Sequence, residues 1–209
     1  MLRIKVVFDK VLNVEASLGG GKFFIAFSAA LIIGCNAAAA ESLWDGEFLR
    51  PGVHADFNEV RFGVMAYDRG LFSNDVFSGV VVNGEMVFAA PEALKPFGAP
   101  RPYLGFDATI ADDPVHFVYG GLNWDFRLTD KFYLSGSVGG AINSAENLKN
   151  PTAYKALGCR LSFHLGAAIG YDVTENFTIQ AYTDHFSNGN ICDPNNGAEA
   201  SGVRIGYRF

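Results

Sequence analysis

The chain has 209 residues and a formal net charge of −6; 49% of its residues are hydrophobic, 14% aromatic and 18% charged. That length suits one domain with a full core, and this hydrophobicity excludes a disordered chain. The acidic balance, without a Lys/Arg cluster, argues against a nucleic-acid partner. No apolar run after the first 40 residues is long enough for a membrane helix.

The chain opens on a targeting segment. Lys22 precedes the apolar run 23–34, small residues Ala37 to Ala40 follow, and polar Glu41 and Ser42 come next. Basic region, apolar region and small-residue cleavage site in that order predict a signal peptide over residues 1–40 and a mature chain of 41–209. The unusually long first 20 residues point to a start codon downstream of Met1; an uncleaved membrane anchor is the bland alternative and a lipidated Cys35 a minor one. Export makes a disulfide between the two remaining cysteines, Cys159 and Cys192, chemically permissible.

The mature chain reads as short strands separated by turn signals. Candidates are 59–68, 75–89, 102–111, 115–128, 131–143, 159–172, 177–188 and 200–209. Asp112-Asp113-Pro114, Thr129-Asp130 and 172–176 fit turns, while Pro91, Pro96 and Pro100 mark a longer connection. Alternation is strong. In 161–172, Leu161, Phe163, Leu165, Ala167, Ile169 and Tyr171 oppose Ser162, His164, Gly166, Ala168, Gly170 and Asp172. At the end of the chain Val203, Ile205, Tyr207 and Phe209 oppose Gly202, Arg204, Gly206 and Arg208.

Two architectures accept this pattern: a soluble sandwich with its apolar face inward, or a membrane barrel with that face toward lipid. Export, strands long enough to cross a bilayer at a tilt, and a terminal Phe209 resembling the recognition signal of outer-membrane barrels favour the second. The expected fold is all-β, an eight-stranded antiparallel transmembrane β-barrel in the bacterial outer membrane. With periplasmic termini, segments 69–74, 112–114, 144–158 and 189–199 face outside. Cys159 and Cys192 then border neighbouring outer loops, where they either pair or remain two thiols.

The seventh candidate strand ends in His185-Phe186-Ser187-Asn188, and Glu199 opens or just precedes the eighth. His185 and Ser187 share a face. A nucleophile, a base and a carboxylate that orients the base can therefore meet across one hairpin. Parity with Phe177 and Ile179, and with Val203 and Ile205, puts all three on the lipid-facing side near the outer rim. Polar groups aimed at lipid are costly unless they serve a function, and this level is where the ester bonds of an outer-leaflet lipid lie. His164 is expected inside the barrel, as are Asn123 and Asp125. His54 and His116 lack metal-ligand spacing.

His185, Ser187, Asn188, Asn195 and Glu199 in this arrangement resemble the signature of the PagL-type lipid A 3-O-deacylases, eight-stranded outer-membrane barrels. The resemblance is specific over 182–209. It implies hydrolysis of the 3-O-linked hydroxyacyl chain of lipid A in lipopolysaccharide, with Ser187 as nucleophile, His185 as base and Glu199 as orienter. Asn195, helped by Asn188 and the Gly189 amide, would stabilise the oxyanion; no metal or other cofactor is implied. Gly189 stands where the family often has Ala, and Asn196 where it often has Pro. The rival readings are a non-catalytic barrel acting as anchor or adhesin, and another membrane-embedded acyl hydrolase or acyltransferase. A homodimer stays open.

Overall fold

The structure is a computed structural model that describes residues 49–70, 78–146, 148–149 and 155–209. The signal peptide expected over 1–40, with Cys35, lies outside the described residues. Strand β1 (Arg50–Pro51) is followed by β2 (Glu59–Tyr67), β3 (Gly79–Val87), a 3-10 helix (Glu92–Phe97), β4 (Arg101–Ala111) and β5 (Phe117–Arg127). Then come β6 (Phe132–Asn143), β7 (Leu161–Asp172), β8 (Phe177–Ser187) and β9 (Ala198–Arg208). From β2 to β9 each strand pairs antiparallel with the next, and β9 pairs with β2, so the sheet closes. Closure removes the edges that an open sheet leaves unpaired. Among the described residues no helix is long and apolar enough to cross a membrane; the crossing elements are strands.

The alternation that predicted the strands also decides which side is inside. Phe62 and Val64 on β2 are exposed, while Glu59 and Arg61 on the same strand are fully buried. A soluble sandwich would bury the opposite face. The apolar belt here faces outward and the interior is polar, as a barrel in lipid requires. Arg61 lays its guanidinium across Glu59, with Nε to Oε1 at 2.9 Å and Nη2 to Oε2 at 3.1 Å, and donates to Glu85 at 2.9 Å. Arg101 donates to Glu59 at 3.0 Å and to Asp125 at 2.9 Å. Asn123, between these groups, accepts from Ser135 at 2.8 Å. Asn123 and Asp125 are thus interior residues, as their parity predicted. Higher in the barrel His164 is buried, with Nδ1 2.7 Å from the Tyr103 hydroxyl.

Both mouths of the barrel are filled. At the periplasmic end, residues 49–58 fold back under the strands. Leu49 N–H donates to the Arg127 carbonyl and Gly52 N–H to that of Asp125. His54, without metal-ligand partners in the sequence, serves here instead: it inserts between Asp125 and Asp172, each at 3.2 Å. The proline-rich connection contains the 3-10 helix, and outward-facing Trp124 donates its indole N–H to the Phe97 carbonyl at 3.0 Å. At the outer end Phe117 and Phe186 stack at 3.9 Å, packed with Val115, Ala145, Leu157 and Ala198.

Candidate active site

β8 and β9 pair in a register that sets His185 directly opposite Glu199 and Thr183 opposite Ser201. Odd-numbered residues of both strands point outward. Ile179, Val203 and Ile205 on that face are exposed. His185 Nδ1 lies 2.7 Å from Glu199 Oε1, a pairing between neighbouring strands. A carboxylate on Nδ1 leaves Nε2 to act as acceptor, which is the tautomer a general base needs. Ser187 is the last residue of β8, on the same face two positions beyond His185 and opposite Phe163 of β7. Contacts between a serine and its base often tighten only when substrate binds.

The loop after β8 is organised by Asn188, and sequence reasoning missed how. The Asn188 side chain is buried, and its Nδ2 donates to the carbonyls of Leu157 at 2.7 Å, Cys192 at 3.0 Å and Pro194 at 3.1 Å. With its donors committed inside the loop, this side chain serves as an anchor. Its backbone N–H has a second role, donating to Asn195 Oδ1 at 2.9 Å. A backbone N–H can only donate, so the atom it fixes is the amide oxygen of Asn195, and the NH2 group donates one of its two hydrogens to Asn190 Oδ1 at 3.2 Å. Gly189 follows at an exposed turn with φ 63°.

Cys159 and Cys192 form a disulfide with Cα atoms 5.9 Å apart. It staples the third outer loop to the fourth beside the Asn188 anchor. Gly158 has to be glycine for the same contact: its φ is 72°, and an added Cβ would stand 2.1 Å from the Pro194 carbonyl oxygen. Replacing either cysteine by serine opens a cross-link that spans 33 residues, a loss of about 3–4 kcal/mol on chain-entropy grounds. The expected outcome is that proteinase K added to whole cells cuts within 189–197 in the variant and spares the wild type, with the barrel itself intact.

Residues 155–157 act as a hub for all four outer loops. The Lys155 ammonium forms a buried ion pair with Asp68 of the first loop, and the Lys155 backbone N–H donates to Asp113 of the second at 2.7 Å. Ala156 and Leu157 accept from Asn196 and Asn188 of the fourth. No periodicity announces these contacts, because each depends on where three other loops end.

A closed barrel with an apolar outer belt, a filled interior and a polar His–Glu pair on its outer wall defines an outer-membrane β-barrel of the bacterial envelope. Its sequence relationship is specific: residues 113–208 match the lipid A 3-O-deacylase (PagL) family model, bearing out the resemblance read from the site residues. The crystal structure of the outer membrane enzyme PagL is similar to the chain with a TM-score of 0.54 at 14% identity, covering 71% of this chain and 98% of that one. The N-terminal β-barrel domain of Pseudomonas aeruginosa OprF reaches 0.51 at 14% identity, covering 74% and 98%. At such identities the structural likenesses establish the fold alone. No curated protein sequence matches the chain.

Proposed function

We propose that the chain is a serine esterase that removes the 3-O-linked hydroxyacyl chain of lipid A in the outer leaflet. The observation that carries this reading is the His185–Glu199 pair on the lipid-facing wall, with Ser187 two residues along and within the segment that matches the deacylase family. An anchor has no need for a hydrogen-bonded imidazole and carboxylate aimed at lipid. The filled interior leaves no reason to seek the site inside.

The reaction follows from the groups. Ser187 Oγ attacks the acyl carbonyl while His185 Nε2 takes its proton. Glu199 holds the Nδ1 proton and stabilises the imidazolium that forms. The negative charge arising on the carbonyl oxygen is met by the Asn195 NH2 and the Gly189 N–H. Asn188 contributes by orienting Asn195, since its own amide is occupied. The tetrahedral intermediate collapses as His185 returns the proton to the sugar oxygen, freeing a hydroxyl on the sugar and leaving the acyl group on Ser187. Water, deprotonated by His185, then releases the fatty acid and restores the serine.

Expression in a Gram-negative host followed by mass spectrometry of lipid A tests the reading. The expected result is the loss of one ester-linked hydroxyacyl chain in cells carrying the wild-type chain. Unchanged lipid A, both in cells and with detergent-extracted folded protein on purified lipid, would sink it. Asn195→Ala is expected to lower kcat by roughly 10²–10³-fold, the usual cost of one oxyanion donor. Asn195→Asp should fall at least as far, since a carboxylate repels the oxyanion. Progress curves on lipid A in mixed micelles check both.

A further inference from the structure

Glu199 presents a contradiction that its partner on β8 does not resolve. Its parity puts it on the lipid-facing wall, where Val203 is 62% and Ile205 49% exposed, yet Glu199 is only 4% exposed. The cover comes from the first outer loop. Beyond β2 the chain turns at Asp68, whose φ is 54°, and Asp68–Arg69–Gly70 lies over the carboxylate. A Cβ added to Gly70 would stand 1.9 Å from Glu199 Oε2, 2.8 Å from its Cδ and 2.9 Å from its Cβ. Only a residue without a side chain lets the segment come so close.

The strap is tied down at each residue before Gly70. Asp68 N–H donates to the Glu199 carbonyl at 2.8 Å, and its carboxylate meets Lys155 in the outer hub. The Arg69 carbonyl accepts from the Ser201 hydroxyl at 2.8 Å. Ser201 lies 2.8 Å from the Thr183 hydroxyl, the pair directly opposite each other on β8 and β9. These hydroxyls also face outward, two residues deeper than His185 and Glu199. Their place in an apolar belt is explained by the strap they hold.

We propose that Gly70 and Ser201 are positioning residues for the esterase, acting through Glu199. They fasten the Asp68–Gly70 strap over the carboxylate, so that lipid headgroups and water stay off it and its oxygen keeps facing His185. A shielded carboxylate interacts more strongly with an imidazolium than a wet one. This inference rests on the serine-esterase reading.

The test uses the full chain folded in detergent, with lipid A in mixed micelles as substrate and with folding checked by mobility on unheated gels. Gly70→Ala is expected to lower kcat about 100-fold, the order that a small misplacement costs, while KM stays within about two-fold because the acyl chains bind elsewhere. Ser201→Ala should move kcat in the same direction and Ser201→Thr, which keeps the hydroxyl, should restore it. In a Glu199→Ala background, Gly70→Ala should cause no further loss, since residues that act through one another are not additive. The proposal is overturned by wild-type kcat in Gly70→Ala, by losses that multiply in the double variant, or by Ser201→Thr failing with Ser201→Ala. If Gly70→Ala does not fold, the two Ser201 variants decide. A Glu199→Ala variant as active as wild type would instead strike the esterase reading itself.

Discussion

Ser187→Ala is expected to lower kcat for lipid A deacylation by roughly 10⁴-fold or more, with KM almost unchanged. The hydroxyl is the one group in the scheme that becomes covalently attached to the acyl chain. The sugar and acyl chains should still bind, because the substitution removes a single hydroxyl oxygen. Glu199→Gln is expected to cost roughly 10³–10⁴-fold, since an amide facing His185 Nδ1 at the observed 2.7 Å supports the wrong tautomer or a weaker bond. Stopped-time assays on purified, folded protein with mass-spectrometric detection of released hydroxy fatty acid measure both. Activity surviving in Ser187→Ala would eliminate the serine mechanism whatever the fold.

The largest effect on stability should come from Arg61. It is completely buried and bonds to Glu59 and Glu85, themselves buried. Arg61→Met leaves those carboxylates short of a counter-ion in the middle of the barrel, a loss of about 3–5 kcal/mol. The double replacement Arg61→Met with Glu59→Met should recover much of it. Glu85 keeps Arg204 at 3.4 Å, and Arg101 keeps Asp125 at 2.9 Å. Urea titrations of the detergent-folded barrel give the comparison. A double variant no better than the single would mean that packing, rather than charge balance, is what Arg61 supplies.

The eight crossing strands were legible because lipid and interior impose opposite demands on successive residues. Residues 161–172 announce β7 and its two faces almost without ambiguity, and Glu199 falls on the predicted face at the start of β9. The expected strand 75–89 is longer than β3, which runs Gly79–Val87; its first residues, 75–77, lie outside the described residues. Contacts that depend on several loops at once were not legible. Asn188 read as an oxyanion donor because an amide beside a serine suggests one, but its buried side chain spans the loop. For His54 the sequence excludes only metal-ligand spacing, since nothing in its own neighbourhood names Asp125 and Asp172 as partners. The cover over Glu199 was equally hidden: parity gives the direction of a side chain but not what another loop lays on top. A Gly in a loop, such as Gly70, is an ordinary turn signal until the carboxylate beneath it is known.

The filling of the barrel has an electrical consequence. His54 and the 49–58 segment close the periplasmic mouth, the arginine and carboxylate lattice occupies the middle, and stacked Phe117 and Phe186 lie under the outer hub. Such a body should be an insulator: in a planar bilayer it should add no current steps under an applied voltage. A cell can therefore carry many copies without lowering the resistance of its envelope to antibiotics or bile salts. The proposed chemistry on the outer wall would thereby be separated from permeability, and a bacterium could adjust how much of the protein it makes without leaking.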